Sequence, residues 1–147
     1  KAARISAVVR DITEFLHVLP LQDGVRSTGQ VVAYHSACSM QHGQQVRDQP
    51  KSLLRRMGFV VREVPEGHIC CGSAGTYNVL QPEIANRLRA RKVTNIEKVK
   101  PQIIASGNLG CITQIGAGTR IPVVHTVELV DWAMGGPLPD VLKGCLG

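Results

Sequence analysis

Apolar positions along this chain follow two periodicities. Four short runs, residues 30–35, 59–64, 102–106 and 121–125, are aliphatic and β-branched in the manner of buried strands. Around them, apolar residues recur at helical spacing. Ile5, Val8, Val9, Ile12, Phe15 and Leu16 predict one amphipathic helix at the amino end. His17 closes it as a surface histidine suited to the helix dipole, and Pro20, Gly24 and Gly29 then punctuate a loop. A second helix is predicted over about residues 47–57, with Pro50 in its first turn and Gly58 where it stops. A third opens at Gln81-Pro82-Glu83. It carries Ile84, Ala85, Leu88, Ile96 and Val99 on one face and Arg87, Arg91 and Lys98 on a solvated one. A short fourth is predicted from His125-Thr126 to Met134, with Thr126 as its N-cap. Gly135-Gly136-Pro137 ends it, and residues 140–147 read as a frayed tail.

Strands alternating with helices predict an α/β fold with a mainly parallel sheet of about four strands flanked by helices. The pattern does not state the strand order. The residues at the end of each run matter more. Cys38 lies after the first, Cys70 and Cys71 after the second, Cys111 after the third, and His125 closes the fourth. All would gather at the carboxyl edge of the sheet, where open α/β folds place their ligands.

At 147 residues and 44% hydrophobic content the chain reads as one domain, over residues 1–139, and its 3% aromatic share predicts an aliphatic core. No apolar run approaches the roughly 20 residues of a membrane span, and there is no signal-peptide pattern. A cytoplasmic protein is therefore expected. The chain opens on Lys1 and has no Met before Met40, so it is expected to be the carboxyl-terminal part of something longer. The net charge of +6 raises nucleic acid as a partner, but the basic residues are dispersed and lack interleaved aromatics. No nucleic-acid role is expected.

Five cysteines in a reducing compartment point to metal or redox chemistry rather than disulfides. Cys145, in a Gly/Pro-rich tail, is the one left over. Adjacent Cys70 and Cys71 cannot easily share one small ion in tetrahedral geometry, yet they can bind two irons of a cluster several ångströms across. Intervals of 31 residues from Cys38 to Cys70 and 39 from Cys71 to Cys111 are each about one βα unit, unlike ferredoxin spacing. His35, His42, His68 and His125 fall near the same edge. Each alone reads as a hydrogen-bonded loop histidine; as a group they could tune a cluster's potential or relay protons to a bound quinone or organic acid.

Cys38, the Cys70-Cys71-Gly72 triplet and Gly107-Asn108-Leu109-Gly110-Cys111 resemble the cysteine-rich CCG domain. That domain is shared by heterodisulfide reductase, the anaerobic glycerol-3-phosphate dehydrogenase small subunit, lactate-utilisation iron-sulfur proteins and the glycolate oxidase iron-sulfur subunit. Residues 35–43, 65–77, 105–108 and 124–129 narrow the resemblance to the second CCG domain of the last of these, over nearly the whole chain. The resemblance implies a 4Fe-4S cluster on Cys38, Cys70, Cys71 and Cys111. It also implies an electron-transfer role beside flavin-binding subunits that oxidise glycolate to glyoxylate, with possible peripheral association at the cytoplasmic face of the inner membrane. In the fullest form of the motif a cysteine stands where this chain has Asn108, so four thiolates are expected rather than five. Asn108 would then be a hydrogen-bond donor to a sulfur. Three readings remain open: the electron-transfer domain, an assembly module whose cysteines hold zinc or nothing, and a thiol redox enzyme using Cys70-Cys71 as a vicinal disulfide.

Overall fold

The computed structural model describes residues 1–21 and 29–145. In chain order the elements are α1 (Ala2–Ser6), α2 (Ile12–Val18), β1 (Val31–His35), a π-helical turn (Ser39–Gln44), α3 (Gln49–Arg56) and β2 (Val60–Arg62). Then come α4 (Tyr77–Leu80), α5 (Pro82–Lys98), β3 (Ile103–Ser106), α6 (Leu109–Gly116), β4 (Val123–His125), α7 (Thr126–Ala133) and a 3-10 turn (Asp140–Leu142). The strands form one sheet in the order β2-β1-β3-β4, and every neighbouring pair is parallel. Parallel neighbours require crossovers, which the helices supply. The predicted α/β class is the observed one.

Strand residues alternate between two apolar layers. Val32, Tyr34, Ile103, Ala105 and Val124 pack with Leu53, Leu54 and Met57 of α3 and its C-terminal cap and with Leu129 and Val130 of α7. Phe59 and Trp132 close that layer with ring centroids 6.0 Å apart. Ala33 and Ile104 face the other way, onto Val93 and Ile96 of α5 and Ile115 of α6. Burial on both faces is why the central strands β1 and β3 read as continuous apolar runs rather than as an alternation, whereas the edge strand β2 is largely exposed.

The strand order decides where a ligand can sit. From β1 the chain moves outward to β2, then returns to lay β3 on the other side of β1. The direction of winding therefore reverses between β1 and β3, and a crevice opens at their carboxyl ends. The register sets His35 opposite Ser106, and Ser106 opposite His125.

Several local expectations are corrected. The single amino-terminal helix is two, because Asp11 restarts the chain as an N-cap. Its side chain accepts from Thr13 N at 2.8 Å, while its own N–H donates to Glu14 at 2.8 Å. Periodicity also overstated burial there: Ile5, Val8 and Val9 are exposed. His17 does lie in the last turn of α2, exposed. The Gly24 turn lies outside the described residues. Helix α3 begins at Gln49 rather than Arg47, and Ile84 of α5 points outward. Thr126 does not cap α7; His125 does, its Nδ1 accepting from Val127 N at 3.2 Å while Glu128 receives the His125 N–H. The segment after Pro139 does not fray through its described part, since Leu142 is fully buried in the layer that holds α3 and α7.

Candidate metal centre

Three strand ends deliver sulfur to one place, each by a different local device. After β1, Ala37 and Met40 are buried, which docks a π-helical turn on the core with Cys38 half-buried at its start. Gly107, after β3, lets Met40 approach: a Cβ there would stand 3.1 Å from the Met40 sulfur.

After β2 the chain turns through Glu66 in the left-handed region (φ 52°) and reaches Cys70-Cys71-Gly72. Gly72 has φ 94°, and a Cβ on it would collide with the Ala85 carbonyl oxygen of α5. Both the conformation and the space demand glycine. Its N–H donates to Cys70 Sγ at 3.3 Å.

After β3, Asn108 caps α6, its Oδ1 accepting from Cys111 N at 3.1 Å. Cys111 thus sits in the first turn, at the positive end of the helix dipole. Asn108 was expected to donate to a sulfur; among the described residues its side chain is engaged through Oδ1, which satisfies an open N–H at the start of α6. Gly110 allows α6 to lie against the cysteine loop, since a Cβ there would be 2.6 Å from Ser73 Oγ.

Cys38, Cys70, Cys71 and Cys111 line one cavity of about 210 Å³ together with Ser73 and Asn108. Cys71 and Cys111 are buried, Cys38 and Cys70 half-buried, and Cys145 is exposed. The Cys71 thiol is held down to about 4, chiefly by a hydrogen bond from Cys111, against the effect of burial and with help from His35 and the Ser73 backbone. Cys111 is pushed up, first by donating to Cys71 and then by burial. Cys38 is raised by burial and by the charge of Cys70. The hydrogen bond between the two buried thiols thus lowers Cys71 and raises Cys111.

The histidines separate. His35 is 2% exposed, its Nε2 has no hydrogen-bond partner among the described residues, and its ligand atom lies within 4.8 Å of those of Cys71 and Cys111. A buried imidazole nitrogen without a partner among the described residues, beside two thiols, makes a donor set that could hold a metal ion. His68 borders a neighbouring polar cavity of about 170 Å³ that His35 also lines. His125 is engaged as the α7 cap, and His42 is exposed on the π-helical turn.

Two further residues shape the site. Ser73 contacts α6 as described, and Lys92 of α5 is 1% exposed, its Nζ donating to the carbonyls of Glu66 at 3.1 Å and Gly67 at 3.2 Å. Lys92 reads as one more helix lysine, yet it falls four residues from both Leu88 and Ile96, on the apolar stripe. Arg91, placed on the solvated face, clasps Glu66 together with Asn95, whose Nδ2 donates to Glu66 Oε2 at 2.7 Å.

Similarity to known proteins centres on the same residues. A model of the cysteine-rich (CCG) domain matches residues 32–116. The Escherichia coli glycolate oxidase iron-sulfur subunit is 36% identical over 134 residues, covering 91% of this chain and 33% of that protein. Lactate utilization protein A of Anoxybacillus flavithermus is 31% identical over 139 residues, covering 89% of this chain and 58% of the relative. The same protein from Oceanobacillus iheyensis is 31% identical over 128 residues, covering 82% and 52%. The chain spans about a third to under three-fifths of the length of these relatives. The matched segment runs from the β1 core through Cys111 to the end of α6, so the chain belongs to the cysteine-rich CCG domain family.

Proposed function

We propose that Cys38, Cys70, Cys71 and Cys111 hold an iron-sulfur cluster of the 4Fe-4S type, and that the domain passes electrons within a complex oxidising a small 2-hydroxy acid. Glycolate, with glyoxylate as product, is the first candidate and lactate the second. The observation that carries this reading is the convergence of four thiols from three strand ends on one cavity. The cluster would supply one-electron transfer. The chain's own residues do the rest. The Gly72 N–H and the α6 terminus favour the anionic sulfurs, while His35 fills the buried side next to Cys71 and Cys111. Asn108 holds the α6 start in place.

The acid itself would be oxidised on flavin-binding partner subunits. No described helix is long and apolar enough to cross a membrane.

A mononuclear zinc site is the competing assignment, favoured by the compactness of His35, Cys71 and Cys111. Iron, acid-labile sulfide and zinc measured on anaerobically prepared protein separate the two. Near-stoichiometric iron and sulfide support the cluster; one zinc per chain with no sulfide after reconstitution refutes it.

A further inference from the structure

Lys92 is the largest fully buried side chain, and the electron-transfer role leaves it without a task. An ammonium group withdrawn from water is costly unless its protons are accepted and its charge is met. The first condition is satisfied by the Glu66 and Gly67 carbonyls. The second is not satisfied by a carboxylate. The neighbouring acid, Glu66, is already engaged by Arg91 and Asn95, and Lys92 forms no ion pair among the described residues. What lies next to the ammonium group is the cysteine loop itself, which Lys92 holds by the Gly67 carbonyl three residues before Cys70.

The position is specific. Lys92 grips the two carbonyls at the turn that leads into Cys70-Cys71, where Glu66 takes its left-handed conformation. Arg91 and Asn95 hold the Glu66 side chain from the same helix. Successive turns of α5 thus clamp the cysteine loop, but only Lys92 brings a charge into the interior.

We propose that Lys92 is the buried counter-cation of the cysteine site, a positioning residue that steadies the cysteine loop and raises the reduction potential of the centre. The inference rests on the cysteines holding a redox-active cluster. Reduction adds negative charge to an already anionic group, so a fixed cation nearby favours the reduced state. A fixed charge about 10 Å from a redox group, at an effective dielectric near 20, would change the reduction equilibrium about tenfold.

The test uses anaerobically reconstituted protein and three variants: Lys92→Met, Lys92→Arg and Arg91→Gln. Midpoint potential is read by optical redox titration, alongside iron and sulfide per chain and far-UV circular dichroism. Lys92→Met is expected to keep its helical signal and its cluster, with the reduction equilibrium shifted about tenfold toward the oxidised form, or about 59 mV more negative for one electron. Lys92→Arg should stay near the parent value. Arg91→Gln removes a clamp contact and a surface charge, and should leave the potential unchanged. A Lys92→Met protein at the parent potential overturns the proposal, as does an equal shift in Arg91→Gln, which would assign the effect to loop geometry. Cluster loss in Lys92→Met with retention in Lys92→Arg supports the need for charge; loss in both overturns it. If the unsubstituted protein takes up no iron or sulfide, the underlying reading fails, and this inference fails with it.

Discussion

Replacing Gly72 by alanine isolates the strongest local constraint at the site. Two costs add. At φ 94° an L side chain occupies a region it disfavours by about 1–2 kcal/mol. Its Cβ would also press on the Ala85 carbonyl and crowd Gln114 Nε2, at 3.1 Å. Ala85 is 1% exposed on a 17-residue helix, so the backbone of α5 cannot easily yield. Overpacking of this kind costs about 1–3 kcal/mol. The sum, about 2–5 kcal/mol, is a large share of a typical domain's stability. In a chain of this size it corresponds to a fall in Tm of roughly 5–15 °C. Gly75 is the control: its φ is 63°, but a Cβ would meet nothing within 4 Å. Gly75→Ala should therefore show the conformational cost alone, about 1–2 kcal/mol. Urea unfolding followed by far-UV circular dichroism measures both. Equal destabilisation in the two variants would refute the claim that contact with α5 dictates Gly72.

Four more expectations come from the same geometry. Gly110→Ala should loosen the packing of α6 on the cysteine loop by about 1–3 kcal/mol, and Ser73→Gly should recover most of that, because the closest atom the Cβ meets is Ser73 Oγ; additivity in a double-mutant unfolding cycle would show the contact is not shared. Asn108→Ala should cost about 1 kcal/mol through loss of the α6 cap, and Asn108→Asp should not, as read by thermal melts. Cys38→Ala and Cys111→Ala should each abolish iron binding with the helical signal preserved, whereas Cys145→Ser should leave iron unchanged; full iron and sulfide in either of the first two would count against the cluster. Glu66 provides a pH test. Its bonds to Arg91 and Asn95 hold it down to about 2 from an ordinary 4.5. Its contribution is therefore complete above about pH 4.5 and is lost as pH falls toward 2. Glu66→Gln should flatten the stability profile across that window, and an unchanged slope in acid unfolding would show the clasp is inert.

The chain's own pattern determined a good deal. Runs buried on both faces must be apolar throughout, and connections of βα length must cross over, so the parallel sheet and the grouping of cysteines at its carboxyl edge were legible from the sequence. Cys38, Cys70, Cys71 and Cys111 could be singled out because thiols placed after successive strands share an edge whatever the strand order. The Asp11-Glu14 capping box was not read from the sequence, and it outweighs the periodicity that joined Ile5 to Leu16, since a cap acts locally. Only the tertiary structure decided the rest. Placing β3 beside β1 opens the crevice between them, and strand order depends on long-range packing that no local spacing encodes. His35 and His125 both end strands, in similar text, yet one is buried against two sulfurs and the other caps a helix. Gly72 and Lys92 complete the contrast. The need for glycine lies in a carbonyl of α5, and the burial of Lys92 in a turn more than twenty residues earlier. Both are contacts across space, and a contact is a property of two positions that sequence periodicity reads one at a time.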